Sequence, residues 1–169
     1  MDYDALLMDI AHGNMQSLEE LYRDMYSAVF AFTLSIVKNA ATAADLTQDA
    51  FVQIYTHAAK YKPHGQGRSW MLRIARNLSL NHLRDNKRET LGDISTERPD
   101  EDDPFGRSEA MLMLQSLFSV LSVGERELVM LKASGYTHRE IAGILYLPEG
   151  TVRWKYMNAL KKLKEETHV

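Results

Sequence analysis

The apolar residues of this chain recur at three- and four-residue steps almost throughout, and no segment alternates strictly as a half-buried strand would. Leu18, Leu21, Met25, Val29, Phe32 and Ile36 form a first stripe, which predicts an amphipathic helix with one buried face. Ser17 and Glu20 at its start have the spacing of a capping box, in which the hydroxyl accepts from a free backbone N–H. A second helix is expected from about Thr42, with Ala43, Leu46, Ala50, Phe51 and Ile54 inward. The segment YKPHGQG, residues 61–67, breaks the pattern with one proline and two glycines. A third helix is expected after Ser69, running to about Arg88, with Met71, Ile74, Ala75 and Leu78 on its buried side.

Residues 91–108, LGDISTERPDEDDPFGRS, contain two prolines, two glycines and few apolar side chains. Such a segment cannot bury enough surface to offset its chain entropy, so it reads as a flexible linker. Fully extended it would reach roughly 60 Å. Helical periodicity resumes over 111–121 and again in SVGERELVMLKASG, residues 122–135. The expected fold is all-α: a helical domain over 1–90, the linker over 91–108, and a second small helical domain over 109–169.

The last stretch, THREIAGILYLPEGTVRW at 137–154, carries two short helical patterns around a proline. Thr137 and Glu140 again have capping-box spacing. Pro148 disfavours helix in the residue before it, which places a turn at Tyr146-Leu147-Pro148. Beyond it, Val152, Tyr156, Ala159, Leu160 and Leu163 make one apolar stripe, while Trp154, Asn158 and Lys161 project the other way. Arg153 and Met157 flank one side of that outer face, Thr151 and Lys155 the other. This is the pattern of a helix-turn-helix, whose second helix needs one face for its own domain and one for the major groove.

Charge sharpens this picture. The chain of 169 residues has a net charge of only −3, but residues 60–88 hold eight basic side chains and one acidic one. The acidic blocks 1–59 and 89–108 flank that stretch. A basic block of this kind is the electrostatic footprint of a polyanion binder. On the helix it covers, Arg73, Asn77 and Arg84 share a narrow arc, with Arg76, Asn81 and Arg88 beside it and Arg68 and Trp70 near the helix start. Cations for phosphate and an aromatic platform for bases are the chemistry of single-stranded DNA capture. In TAADLTQDAFVQIY, residues 42–55, Asp45, Gln48, Asp49 and Val52 project away from the apolar side. Two acids four apart repel on an isolated helix, so the pair suits docking on a basic partner as well as plain solvation.

Other chemistries are set aside by what is missing. There is no cysteine, which excludes disulfides and cysteine-zinc sites and fits a reducing cytoplasm. No apolar run reaches the length of a membrane span, and Met1-Asp2-Tyr3-Asp4 lacks the basic start of a signal peptide. The six histidines, at 12, 57, 64, 82, 138 and 168, show no H-x-x-x-H or H-E-x-x-H spacing. Asp100 to Asp103 are contiguous in a flexible loop and do not preorganise a metal site. No catalytic residue, metal or cofactor is expected.

Three motifs in register resemble the sigma-70 family of bacterial RNA polymerase sigma factors, in its compact extracytoplasmic-function (ECF) group. DLTQDAFVQIY resembles the family's D-x-x-Q-[DE] segment, RSWMLRIARNLSLNHLR its W-L-x-R-I-A-x-N segment, and residues 121–163 its region 4. The resemblance implies a promoter-specificity subunit that binds core RNA polymerase and is not itself an enzyme. It places polymerase docking on Asp45, Gln48 and Asp49, to which the exposed Val52 is added here. It places the −10 element on Trp70, Arg73, Arg76, Asn77 and Asn81, to which the basic Arg68 and Arg84 are added here. It places the −35 element on Thr151, Arg153, Trp154, Lys155, Met157 and Asn158, to which Arg139 is added here. An anti-sigma factor is a further implied partner, and the linker is implied to thread toward the RNA exit path.

The chain departs from the family pattern at four places. Gly67 stands where a phenylalanine usually precedes the tryptophan, and Tyr146 where the turn usually has glycine. Trp154 replaces a small polar residue and Asn158 a basic one, which implies a different −35 preference. A stand-alone helix-turn-helix regulator, usually a symmetric dimer on duplex operator, is the alternative reading. An adaptor or anti-sigma protein mimicking part of the fold is a lesser one.

Overall fold

The computed structural model describes residues 1–90 and 109–167; the proposed linker, including Asp100 to Asp103, and His168 lie outside the described residues. Among them every regular element is helical: α1 (Tyr3–Ala11), α2 (Met15–Val37), α3 (Ala40–His57), a 3₁₀ turn (Ala58–Lys60), α4 (Gly67–Thr90), α5 (Glu109–Ser119), α6 (Val123–Ala133), α7 (His138–Leu145) and α8 (Glu149–Thr167).

Helix α1 was not expected from the sequence, although its signals are there. Asp2 caps it by accepting from Ala5 N at 3.1 Å, and Leu6, Leu7 and Ile10 form its buried face. The expected Ser17–Glu20 box does not form. Asn14 caps α2 instead, accepting from the N–H groups of Gln16 at 3.0 Å and Ser17 at 3.2 Å, and Ser17 Oγ donates to Asp9. Asn39 likewise caps α3 through Thr42 N at 2.8 Å. Asparagine caps as well as serine does, and each of these helices gains residues at its start. In the C-terminal part the Thr137–Glu140 box forms as expected, and Ser122 with Glu125 makes another at the start of α6.

Helices α1 to α4 pack on one another, as do α6, α7 and α8. The two groups also pack together, α6 against α2 and α7 against α4. One contiguous apolar cluster runs through both, from Leu7, Leu21, Met25, Ile54 and Met71 to Leu128, Leu131, Ile141, Ile144 and Val152. Each such side chain contributes about 1.5–3 kcal/mol on full burial. Nothing in the local periodicity predicts that the second helical group closes on the first.

Candidate nucleic-acid interface

The acidic face of α3 is open. Asp45, Gln48 and Asp49 are exposed, and Val52 is 63% exposed, a large value for an aliphatic residue on a packed helix. Gln48 and Val52 also line an apolar groove of about 640 Å³ between α2 and α3, with Met15, Leu18, Tyr22, Phe51 and Tyr55. The buried side of α3 is the expected one for Ala43, Ala50, Phe51 and Ile54, while Leu46 is half-buried.

Helix α4 divides its sequence-predicted residues into two sets. Trp70, Arg73, Asn77, Asn81 and Arg84 follow one another at three- and four-residue steps and form a single stripe. Asn77, Asn81 and Arg84 are exposed; Trp70 and Arg73 are half-buried. Arg68 and Arg76 point elsewhere, into the C-terminal group. Arg76 Nε donates to Glu127 Oε1 at 2.7 Å, and the Glu127 side chain is only 2% exposed. Arg68 stacks its guanidinium 4.1 Å from the Tyr136 ring centroid and donates to Ser134 O at 3.2 Å. The guanidinium of Arg73 reaches Gln66 Oε1 at 3.0 Å and lies 5.7 Å from the Tyr146 ring.

The contact is reinforced by a buried cation on the other side. Arg126, at the start of α6, donates to Ser35 O at 2.6 Å and Ile36 O at 3.3 Å. These carbonyls lie in the last turn of α2, where intrahelical donors run out and the helix dipole favours a cation. Burial pushes the Arg126 guanidinium below its ordinary value, with Glu127 opposing the shift. Burial likewise raises the Glu127 carboxyl, and Arg76 only partly offsets this.

A loop site that sequence reasoning missed adjoins Trp70. Lys60, Tyr61, Lys62, His64, Gln66, Trp70 and Arg73 line a cavity of about 230 Å³. The rings of Tyr61 and Trp70 are 5.1 Å apart, and His64 is 5.9 Å from Tyr61. Asp4, on α1, accepts from Tyr61 OH at 2.7 Å, Gly65 N at 2.6 Å and Gly67 N at 2.9 Å. Burial alone would raise the Asp4 carboxyl, but these donors together with the His64 N–H hold it below its ordinary value. Burial and the bond to Asp4 push the Tyr61 hydroxyl up to about 12. Gly67 has no room for a side chain: a Cβ there would meet Asp4 Oδ1 at 2.9 Å and the Tyr3 backbone carbon at 3.1 Å. Helix α1 therefore occupies the space that the expected phenylalanine would need.

The outer face of α8 is open. Trp154 is 66% and Met157 64% exposed, and Arg153 is exposed with an ion pair to Glu149 at 2.5 Å. Lys155 and Asn158 line a shallow cavity with Trp154, Lys161 and Lys162, and Thr151 is half-buried beside the turn. Arg139 is exposed on α7. Tyr146 takes the left-handed conformation, φ 54° and ψ 45°, so the turn retains the glycine geometry with a tyrosine in it.

Comparison with known proteins matches the two helical groups separately. The family model for sigma-70 region 2 matches residues 21–89, and that for sigma-70 region 4 matches residues 111–163. The chain belongs to the sigma-70 family. It falls in the ECF group: it is 26% identical over 153 residues to the ECF sigma factor SigM of Bacillus subtilis, spanning 88% of this chain and 93% of that one. It is 27% identical over 161 residues to the sigma factor CarQ of Myxococcus xanthus, spanning 90% of each. Two solved chains share the fold. One is the sigma factor RpoE of Bartonella quintana, in complex with the anti-sigma factor NepR, with TM-score 0.77, 22% identity, and 89% and 96% of the two chains covered. The other is CnrH, in complex with the cytosolic domain of CnrY, with TM-score 0.74, 21% identity, and 98% and 96% covered. The match to region 2 disfavours a stand-alone helix-turn-helix regulator, which would have no use for a second conserved domain. Sigma factors are not enzymes, and among the described residues no cluster of three or more His, Asp or Glu is placed to hold a metal ion. No described helix is long and apolar enough to cross a membrane.

Proposed function

We propose that this sigma factor docks on core RNA polymerase through Asp45, Gln48, Asp49 and Val52 and acts in the cytoplasm. Its α4 stripe and the adjoining loop cavity take the −10 strand: Trp70, Arg73, Asn77, Asn81 and Arg84 directly, Arg68 and Arg76 once released from the C-terminal group. The exposed face of α8, with Thr151, Arg153, Trp154, Lys155, Met157 and Asn158, reads the −35 duplex, and Arg139 steadies it on phosphate. The observation that carries this reading is the pairing of two nucleic-acid surfaces of different kinds in one family-matched chain. One is an aromatic-cationic stripe suited to single strands, the other a helix face suited to a groove.

In this arrangement Arg68 and Arg76, and in part Arg73 through Tyr146, are occupied by the chain's own C-terminal group, so the free protein binds promoter DNA weakly. Core polymerase separates the two readers and fixes their spacing, and two modest sites then act together through effective concentration. Opening the duplex costs a few kcal/mol per unstacked base, offset by aromatic and pocket contacts. Nucleotide chemistry stays with the polymerase. An anti-sigma factor is included among the partners, in keeping with the two solved chains of the same fold.

The test is promoter-dependent transcription in vitro with purified core, together with gel shifts with and without core. Tight duplex binding without core, and no transcript with it, would favour the stand-alone regulator. The double variant Asp45→Arg/Asp49→Arg is expected to lose core binding while keeping its helical content. Unchanged affinity would remove the docking assignment.

A further inference from the structure

We propose that Asp4 is the positioning residue of a single-base pocket: from α1 its carboxylate caps α4 and holds the 61–67 loop so that the buried Tyr61 ring backs Trp70, which meets one extruded −10 base. This rests on the reading of α4 and its loop as the −10 surface. Asp4 lies upstream of the region 2 match at 21–89, and nothing in that match bears on it.

Four observations meet at this carboxylate. First, α4 begins at Gly67, and the N–H of that residue has no partner within its own helix. Asp4 Oδ1 supplies one from 63 positions away in sequence, where a negative charge is also favoured by the helix dipole. Second, the same oxygen accepts from the Tyr61 hydroxyl, and Oδ2 accepts from Gly65 N. One side chain thereby ties the start, the middle and the end of the loop. Third, two glycines give the loop wide conformational freedom to be restrained. Gly65 is at φ +75°, a conformation few other residues adopt, and Gly67 has no side chain with which to pack. Fourth, what the loop shapes is a site with the composition a nucleotide needs. His64 and Trp70 offer ring surface over a floor made by the buried Tyr61, and Lys60, Lys62 and Arg73 supply cations for the flanking phosphates. Tyr61 is 6% exposed and is fixed at its hydroxyl end by Asp4, so its ring is set before any base arrives. Releasing Asp4 frees the loop and the Tyr61 hydroxyl while leaving Trp70 and the pocket cations chemically unchanged.

The experiment uses holoenzyme reconstituted with core polymerase and a promoter fragment whose −10 segment is single-stranded. Each base of that segment is replaced in turn by an abasic site. Aromatic stacking is worth on the order of tenfold to a hundredfold in affinity per base, so the wild type is expected to show a base-over-abasic preference of that order at one position. Asp4→Ala is expected to erase that preference, to within about twofold of unity, and to leave the ratios at other positions unchanged. Affinities for core and for a −35 duplex are expected to stay the same. A general loss of structure would lower all of these together. Asp4→Asn serves as the milder variant: its carbonyl still accepts from Tyr61 and Gly67, but its N–H donors face Gly65 N, so its preference is expected to fall between the two. Full wild-type preference in both variants overturns the role of Asp4 and leaves the −10 surface standing. A wild type with no preference at any position removes the pocket itself, and the role of Asp4 with it.

Discussion

Arg126→Met should loosen the contact between the two helical groups. Methionine fills much of the volume but donates no hydrogen bond. In the closed arrangement it leaves Ser35 O and Ile36 O buried without the donor they had at 2.6 and 3.3 Å. When the groups separate, water reaches both carbonyls, so their loss counts against the closed form only. A buried acceptor left unpaired costs about 1–3 kcal/mol. The longer bond belongs at the low end of that range, and desolvating the guanidinium already costs part of what the bonds return. The net loss for the pair is therefore about 2–3 kcal/mol. That is roughly a 30- to 150-fold shift from closed to open. The bond to Leu121 O, at 2.8 Å, lies within the C-terminal group and drops out of the ratio. Because the chain has no cysteine, Ala59→Cys and Glu166→Cys place spin labels at two exposed positions and nowhere else. Double electron–electron resonance should show the inter-label distance distribution broaden and lengthen in Arg126→Met. Free-protein affinity for a single-stranded −10 oligonucleotide should rise alongside it. An unchanged distribution and unchanged affinity, with helical content intact, would refute the argument that this cation closes the molecule.

Lys38 and Gly67 test the backbone geometry. Lys38 ends α2 in the left-handed conformation at φ 62°, and Lys38→Gly should stabilise by about 1 kcal/mol, read as a rise of a few degrees in thermal unfolding. Burial and the nearby Arg126 already press the Lys38 ammonium below its ordinary value, so removing it also relieves a like-charge contact. Gly67→Phe, which restores the residue usual in the family, should destabilise by about 1–3 kcal/mol because α1 must move aside, measurable by urea unfolding. For pH, the Thr137 N–H and hydroxyl hold the Glu140 carboxyl below its ordinary value. Lys162 and Ser122 do the same for Glu125 against the opposing effect of burial. A depressed folded value means that the stabilisation is present above the ordinary carboxylate value near 4.3 and is lost as pH falls through the depressed ones. Acid titration followed by circular dichroism should therefore erode α6 and α7 below about pH 4, and Glu125→Gln should flatten part of that loss. Trp154→Ala should weaken −35 duplex binding by about 1–2 kcal/mol without changing stability, since the ring is 66% exposed.

The helices that carry the candidate sites were legible because their apolar stripes are long and regular. The outer faces of α3 and α8 project as the periodicity required, with Val52, Trp154 and Met157 all exposed. Two things were not legible, for different reasons. The caps at Asn14 and Asn39 compete with serine and threonine choices of nearly equal strength, and only the packed helix length decides between them. The closed contact depends on residues some 50 to 90 positions apart, Arg76 with Glu127 and Arg126 with Ser35, whose spacing follows no local period. Asp4 belongs to the same class. A single acid before a short apolar pattern looks like a helix-start residue, and its reach to loop 61–67 is set wholly by tertiary packing.

Under the proposed function, the buried Arg76–Glu127 pair would couple the two readers into one regulated unit. In the proposed role Arg76 cannot bind Glu127 and a phosphate at once, so a −10 strand held through Arg76 competes with closure against α6. The apparent DNA affinity of the free chain is its intrinsic affinity reduced by the fraction that is open. Anything that binds only the open form raises that fraction, and by linkage DNA must raise the affinity of that partner by the same factor. Core polymerase, in the proposed role, is such a partner. The factor is bounded by the closing free energy, so loosening Arg126 should raise DNA binding by the free chain and shrink the advantage that core confers. A variant that improved both equally would show that closure and promoter capture are independent.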